Sequence, residues 1–192
     1  MAENEIRNQI KEKEEQIKKL EEEATLEEAK AENELEGEYN PRISEIESKL
    51  TQEQNNLDNV SEKYEESKTI EKENKKALKT LIKQIKIEKE AETVDTQKLQ
   101  DLEKKLESEK SKIGEATANF EEWKIKYKEL KKTVKSMTKE VKSINKEKNK
   151  ALKKKLKEIA NEKKPQIKKI QEEIKALEKE LAVLEKTTIS DI

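Results

Sequence analysis

Apolar side chains recur along this chain at alternating intervals of three and four residues. The repeat covers Ile6 to Ala31, Ile43 to Ile85, Leu99 to Ile144 and, after a slip near Ala151–Leu156, Ile167 to Leu184. Such a heptad pattern places one narrow apolar stripe on a helix, and a second helix must cover that stripe. The pattern therefore predicts an all-α coiled coil, and the slip predicts a local change in supercoiling.

Composition separates this interpretation from a disordered chain. Charged residues make up 46% of the sequence and hydrophobic residues 30%, which is too little apolar material for a large globular core. Disordered chains of this polarity usually carry a high net charge and many prolines and glycines. This chain has a formal net charge of −1, two glycines and two prolines, so long helices are the better prediction.

The residues offer no recognisable catalytic chemistry. The sequence has no histidine and no cysteine, and its two glycines cannot form a phosphate-binding loop or a calcium-binding loop. We therefore predict a non-enzymatic protein with no catalytic, cofactor-binding or metal-binding residues. No apolar run is long enough for a membrane span or a secretory signal, which predicts a cytoplasmic or intravirion location.

Helix breakers are concentrated at the hexapeptide GEYNPR, residues 37–42. Gly37 can end a helix, Asn40 can cap the next one, and Pro41 suits a first helical position. A second boundary is AETVDTQK, residues 91–98, where Thr93 or Asp95 can act as the cap. Pro165 lies inside a strong heptad pattern and predicts a kink. The chain is then a single unit, 1–192, ordered as helix 3–36, break 37–41, helix 41–91, turn 91–97 and helix 97–187.

Two architectures fit these boundaries. In the favoured one the chain reverses at 91–97, and the first two helices pair with a long kinked third helix as an antiparallel hairpin. Paired residues then have numbers that add to about 188 in an antiparallel coiled coil, and the rod is roughly 135 Å long. Gly37, Asn40 and Pro41 become an elbow opposite residues 146–151. In the alternative the chain reverses at 37–41 and forms a three-helix bundle.

Charge favours the hairpin. Residues 3–38 carry 14 acidic and 6 basic side chains, whereas residues 124–164 carry 17 basic and 5 acidic ones. The hairpin register brings these oppositely charged segments together, and flanking charges determine partner choice in coiled coils. The register also gathers an aromatic core cluster of Tyr64, Phe120, Trp123 and Tyr127. Polar residues interrupt the predicted core and should fix the register; they are Glu53, Ser67, Asn74 and Glu88.

Three functions remain open. The first is a structural or scaffolding rod that spaces or assembles other proteins through protein–protein contacts, for example in a phage or virion. The second is a charged tether, because the basic segment 124–164 with its aromatic residues could bind nucleic acid or an anionic membrane surface. The third is an adaptor that pairs with partner helices or with a second copy and forms an oligomer. No small-molecule substrate is expected for any of them.

Overall fold

The computed structural model describes residues 2–190, with side chains described to residue 186. It contains two long helices, α1 from Ala2 to Lys89 and α2 from Thr96 to Ser190. The helices pack together as an antiparallel helical hairpin. Their contacts divide into two units: unit 1 pairs α1 up to Ser44 with α2 from Lys142 onward, and unit 2 comprises Glu45–Val141.

The connection between the helices lies in unit 2, at residues 90–95. Asp95 starts α2 as an N-cap, because its Oδ1 accepts a hydrogen bond of 3.0 Å from the backbone N–H of Lys98. The carbonyl of Asp95 also accepts the first backbone bond of α2, from Leu99 at 3.0 Å. Asp95 is therefore the cap that the sequence offered beside Thr93, and the bounds of the loop lie within two residues of the predicted turn.

The core of unit 2 follows the heptad pattern. Leu81, Ile85 and Ala116 are buried between the helices, and Ser67 is buried with them at 3% exposure. The Ser67 hydroxyl donates to the backbone carbonyl of Tyr64 at 2.9 Å, which satisfies its hydrogen-bonding need inside the seam. A small hydroxyl residue is thus accommodated at a core position without an unpaired polar atom.

In unit 1 the helical pattern passes through the hexapeptide without a break. Residues 37–41 are helical, so the predicted end of one helix at Gly37 and start of another at Pro41 are not found. A strict heptad continued from Ala31 would place Glu34, Glu38 and Pro41 in the seam. The seam residues instead follow intervals of four, and they are Ala31, Leu35, Tyr39 and Ile43.

The facing segment of α2 makes the same change at the same level. Its seam residues are also spaced by four, and they are Ile144, Lys148, Leu152 and Leu156. A heptad with four extra residues locally unwinds the left-handed supercoil. Because both helices unwind at the same level, they stay in contact there, and α1 can continue without a break. The slip predicted near Ala151 is therefore shared by both helices.

Gly37 and Pro41 are four residues apart, which is the spacing of a backbone hydrogen bond in an α-helix. Proline lacks the N–H that would bond the carbonyl of residue 37, and its ring crowds that same carbonyl. Glycine has no side chain to restrict the backbone that must adjust. Asn40 is not a cap here: its Oδ1 accepts a hydrogen bond of 2.9 Å from Lys148 Nζ on α2.

The three-helix alternative is not supported, since it requires the chain to reverse at residues 37–41. Two helices, not three, form the described chain. α2 likewise runs through Pro165 without ending. The kink at Pro165 and the elbow at Gly37, Asn40 and Pro41 remain predictions about bending.

Candidate interaction surfaces

Ion pairs between the helices define the pairing register. In unit 1, Arg7 binds Glu185 at 2.7 Å and Lys13 binds Glu173 at 2.5 Å. In unit 2, near the loop, Lys89 binds Glu103 at 2.9 Å. The numbers of these partners add to about 188, as an antiparallel coiled coil with the predicted register requires.

Lys163 lies inside the seam of unit 1 and is only 8% exposed. Its Nζ is 3.0 Å from Glu27 Oε1 and 3.3 Å from Glu23 Oε2, and both glutamates belong to α1. The hydrogen bond to Glu27 raises the pKa of Lys163, against the opposing effect of burial, and Glu23 adds to the increase. The ammonium is therefore held charged between two carboxylates, as a polar layer within an apolar seam.

Two further lysines of α2 reach α1 in unit 1. Lys155 Nζ is 2.7 Å from Glu34 Oε2, and this hydrogen bond lowers the pKa of Glu34. Lys148 Nζ lies 2.9 Å from Asn40 Oδ1 and 3.5 Å from Glu36 Oε1. The Lys148 side chain is 18% exposed, so its hydrocarbon part packs in the seam while its ammonium reaches the flank.

Lys148 and Lys163 lie outside the pattern of apolar side chains, so the heptads did not predict them as seam residues. A signal was nevertheless present: Lys163 is four residues after Ile159 and four before Ile167. A lysine at such a position predicts acidic residues across the seam. In unit 2 the core position Glu88 shows the reverse arrangement, since its carboxylate is 12% exposed and binds Lys98 at 2.5 Å.

Three of the four residues of the predicted aromatic cluster meet in unit 2. The Tyr64 ring stacks on Tyr127 with centroids 5.1 Å apart and on Phe120 with centroids 5.6 Å apart. Trp123 instead contacts cations, with Lys126 at 4.4 Å and Lys63 at 4.9 Å from its ring centroid. The cluster therefore has a stacked part across the seam and a cation–π part at its edge.

The charge complementarity predicted between the helices is realised by only some of the lysines. Between residues 142 and 164 the lysines that pair with α1 are Lys148, Lys155 and Lys163. In α1 after residue 38, Glu45 pairs within its own helix, with Lys49 at 2.6 Å. Much of the basic charge of α2 therefore points outward.

The described residues contain no group of three or more Cys, Asp or Glu side chains that could hold a metal ion. No helix within residues 2–190 is long and apolar enough to cross a membrane. Comparison with protein-family models, with curated protein sequences and with solved structures gives no match for this chain.

Proposed function

We propose that this protein is a non-enzymatic structural coiled coil that spaces or assembles other proteins through protein–protein contacts. The observation that supports this role is the location of the buried apolar residues. The buried hydrophobic residues lie between the two helices, and they are Ile6, Ala31, Leu35, Leu81, Ile85, Ala116 and Ile144. A chain whose apolar core lies between two paired helices, in both of its units, offers a patterned surface rather than an enclosed site.

The polar seam residues support the same proposal. Lys163 between Glu23 and Glu27 is satisfied in one register, and a slipped pairing would leave its charge buried without partners. Polar groups at core positions are known to specify coiled-coil register. A spacer needs a fixed register because the register determines where its two ends lie.

The proposed form is an elongated rod with a bend at Gly37, Asn40 and Pro41 and a kink at Pro165. Helices of about 90 residues predict a maximum dimension of about 135 Å at 1.5 Å per residue. A cytoplasmic or virion-internal assembly, such as a phage or viral scaffold, is the setting we propose for such a rod.

Small-angle X-ray scattering with mass determination at several protein concentrations tests this proposal. We expect a particle with a maximum dimension of about 135 Å at 1.5 Å per helical residue. A compact particle of about half that dimension would refute the spacer. A mass that stays that of one chain at every concentration would exclude self-assembly and require a different protein as the partner.

An adaptor that pairs with partner helices is the second candidate, and Leu26 favours it. This leucine is 56% exposed and lines a surface depression of about 570 Å³ on α1, together with Thr25 and Ala29. We expect Leu26→Gln to abolish any concentration-dependent mass increase if a second copy docks there. An unchanged mass increase in the variant would assign self-association to another surface.

A further inference from the structure

A row of five lysines runs along the outer surface of α2 in unit 1. The row consists of Lys142, Lys146, Lys150, Lys153 and Lys157, and all five are exposed. At 3.6 residues per turn, their positions fall within an arc of about 80° on the helix, and the row is about 22 Å long. We call this feature the lysine row.

The lysine row lacks carboxylate partners in the structure. No ammonium group of the row lies within 4.0 Å of a carboxylate among residues 2–186, although lysines that do have such partners are found nearby. The two closest acidic residues in sequence are otherwise engaged. Glu147 contacts the hydroxyl of Ser143 at 3.5 Å, and Glu158 lies 3.9 Å from Lys154.

The arrangement is unfavourable for the isolated helix. Lys142 and Lys146 are four residues apart, as are Lys146 and Lys150, and like charges at this spacing destabilise a helix. Elsewhere in the chain lysines three or four residues from glutamate form ion pairs, as in Lys68–Glu65 and Lys112–Glu109. Lys150 also stands three residues from Glu147, but the Glu147 carboxylate contacts Ser143 instead. An external polyanion would turn this local repulsion into a binding contribution.

The surface around the row suits a phosphate backbone better than a lipid surface. A depression of about 510 Å³ lies along it, and its lining residues are Lys142, Asn145, Lys146, Asn149, Lys150 and Lys153. Amide side chains between lysines add polar contacts to phosphate and sugar. Helices that bind at membrane interfaces insert large apolar residues. Among the described residues, none of the exposed large hydrophobic side chains lies between 142 and 164.

We propose that the lysine row binds the sugar–phosphate backbone of nucleic acid, without reading its sequence. Duplex DNA carries one negative charge per about 1.7 Å of its axis, so every lysine of the row can meet a phosphate. The contact at this surface is mainly electrostatic, because five lysines supply its charge. Its affinity must therefore fall steeply with salt, and sequence must matter little.

The test uses the full chain and a fluorescein-labelled 20-base-pair duplex, with binding followed by fluorescence anisotropy. Neutralising five phosphates predicts a slope of log affinity against log salt of about −4.5, which is about 500-fold weaker binding at 200 mM than at 50 mM salt. Two duplexes of unrelated sequence should bind equally. The row variant carries Gln at all five positions and should lose at least tenfold in affinity at 50 mM salt, with a much flatter salt dependence.

A matched control removes the same charge elsewhere. It carries Gln in place of five lysines that pair with glutamate in their own helix, and they are Lys18, Lys68, Lys75, Lys112 and Lys168. The control should bind the duplex like the original chain. Circular dichroism should show full helicity for the row variant, and Lys142→Gln with Lys150→Gln is a milder variant that should bind at intermediate strength.

Three results would overturn the proposal. The first is no binding of the original chain to the duplex at 50 mM salt. The second is an equal loss of affinity in the row variant and the control, since the row would then have no special role. The third is row-dependent binding to vesicles containing phosphatidylserine without binding to the duplex, which would assign the row to a membrane. Scattering from the unbound chain is independent of all three, so the spacer proposal stands or fails separately.

Discussion

Replacing Gly37 and Pro41 by alanine, singly and together, tests whether α1 is continuous through the hexapeptide. Alanine restores the N–H that Pro41 lacks, and that N–H can then bond the carbonyl of residue 37. The added methyl group of Gly37→Ala would meet no heavy atom within 4 Å, so packing does not oppose it. Neither the glycine nor any other described residue has a positive φ.

The magnitudes follow from helix propensity. Proline in a helix interior is about 3 kcal/mol less favourable than alanine, and glycine about 0.8–1.0 kcal/mol less favourable. Pro41→Ala should therefore stabilise the chain by about 3 kcal/mol, and the double variant by about 4 kcal/mol. Gly37→Ala alone should give less than its full 1 kcal/mol, because the proline ring still crowds the carbonyl of residue 37.

Urea unfolding followed by circular dichroism measures these free energies, and Gly114→Ala is the control. Gly114 is an exposed glycine inside α2, and its new methyl group would also meet nothing within 4 Å. Gly114→Ala should raise the free energy of unfolding by about 1 kcal/mol. If the double variant proved no more stable than the original chain, residues 37–41 would not be helical in solution. If Gly37→Ala alone gave as much as the control, the glycine would not be relieving strain from Pro41.

Three other changes have defined outcomes. Pro165→Ala should raise the free energy of unfolding by about 3 kcal/mol in urea titrations, and an unchanged value would indicate that α2 is interrupted there. A double-mutant cycle of Tyr64→Leu and Tyr127→Leu should give a coupling of about 0.5–1.5 kcal/mol for the stacked rings, whereas a coupling near zero would contradict the stacking. Lys155 lowers the pKa of Glu34, so this pair stabilises the fold above the ordinary glutamate value of 4.5 and loses that contribution as the pH falls through the lowered pKa. The stability difference between the original chain and Lys155→Gln should therefore be present at pH 7 and shrink by pH 3; a difference independent of pH would contradict the ion pair.

The pairing of the helices could be predicted from the sequence because charge and apolar spacing give independent information on register. The net negative charge of residues 3–38 and the net positive charge of residues 124–164 favoured reversal near residue 94. Contacts as far apart as Arg7–Glu185 and Lys98–Glu88 agree with that register. Individual charge partners were harder to predict, since lysines in the basic segment can point inward, sideways or outward according to small changes in helical phase.

The helix break predicted at residues 37–41 is not found, and there is a specific physical reason. Gly37 and Pro41 were taken as boundary residues because each commonly ends or starts a helix. Inside a helix, glycine costs about 1 kcal/mol and proline about 3 kcal/mol relative to alanine. Burial of Leu35 and Tyr39 on the seam face of the continuous helix offsets this cost. Leu35 is only 4% exposed. Leu35 and Tyr39 fall outside a strict heptad pattern, since each lies four positions from its neighbours in the seam.

The shared change of spacing also explains why lysines of one segment have different roles. A strict heptad continued from Ile144 would place Lys148, Ala151 and Lys155 in the seam. Intervals of four bring Leu152 and Leu156 there instead, which turns Lys155 to the flank where it meets Glu34. The same rotation leaves the lysine row on the outer surface, away from the glutamates of α1. The apolar requirement of the seam therefore determines which lysines are paired and which remain available to a polyanion.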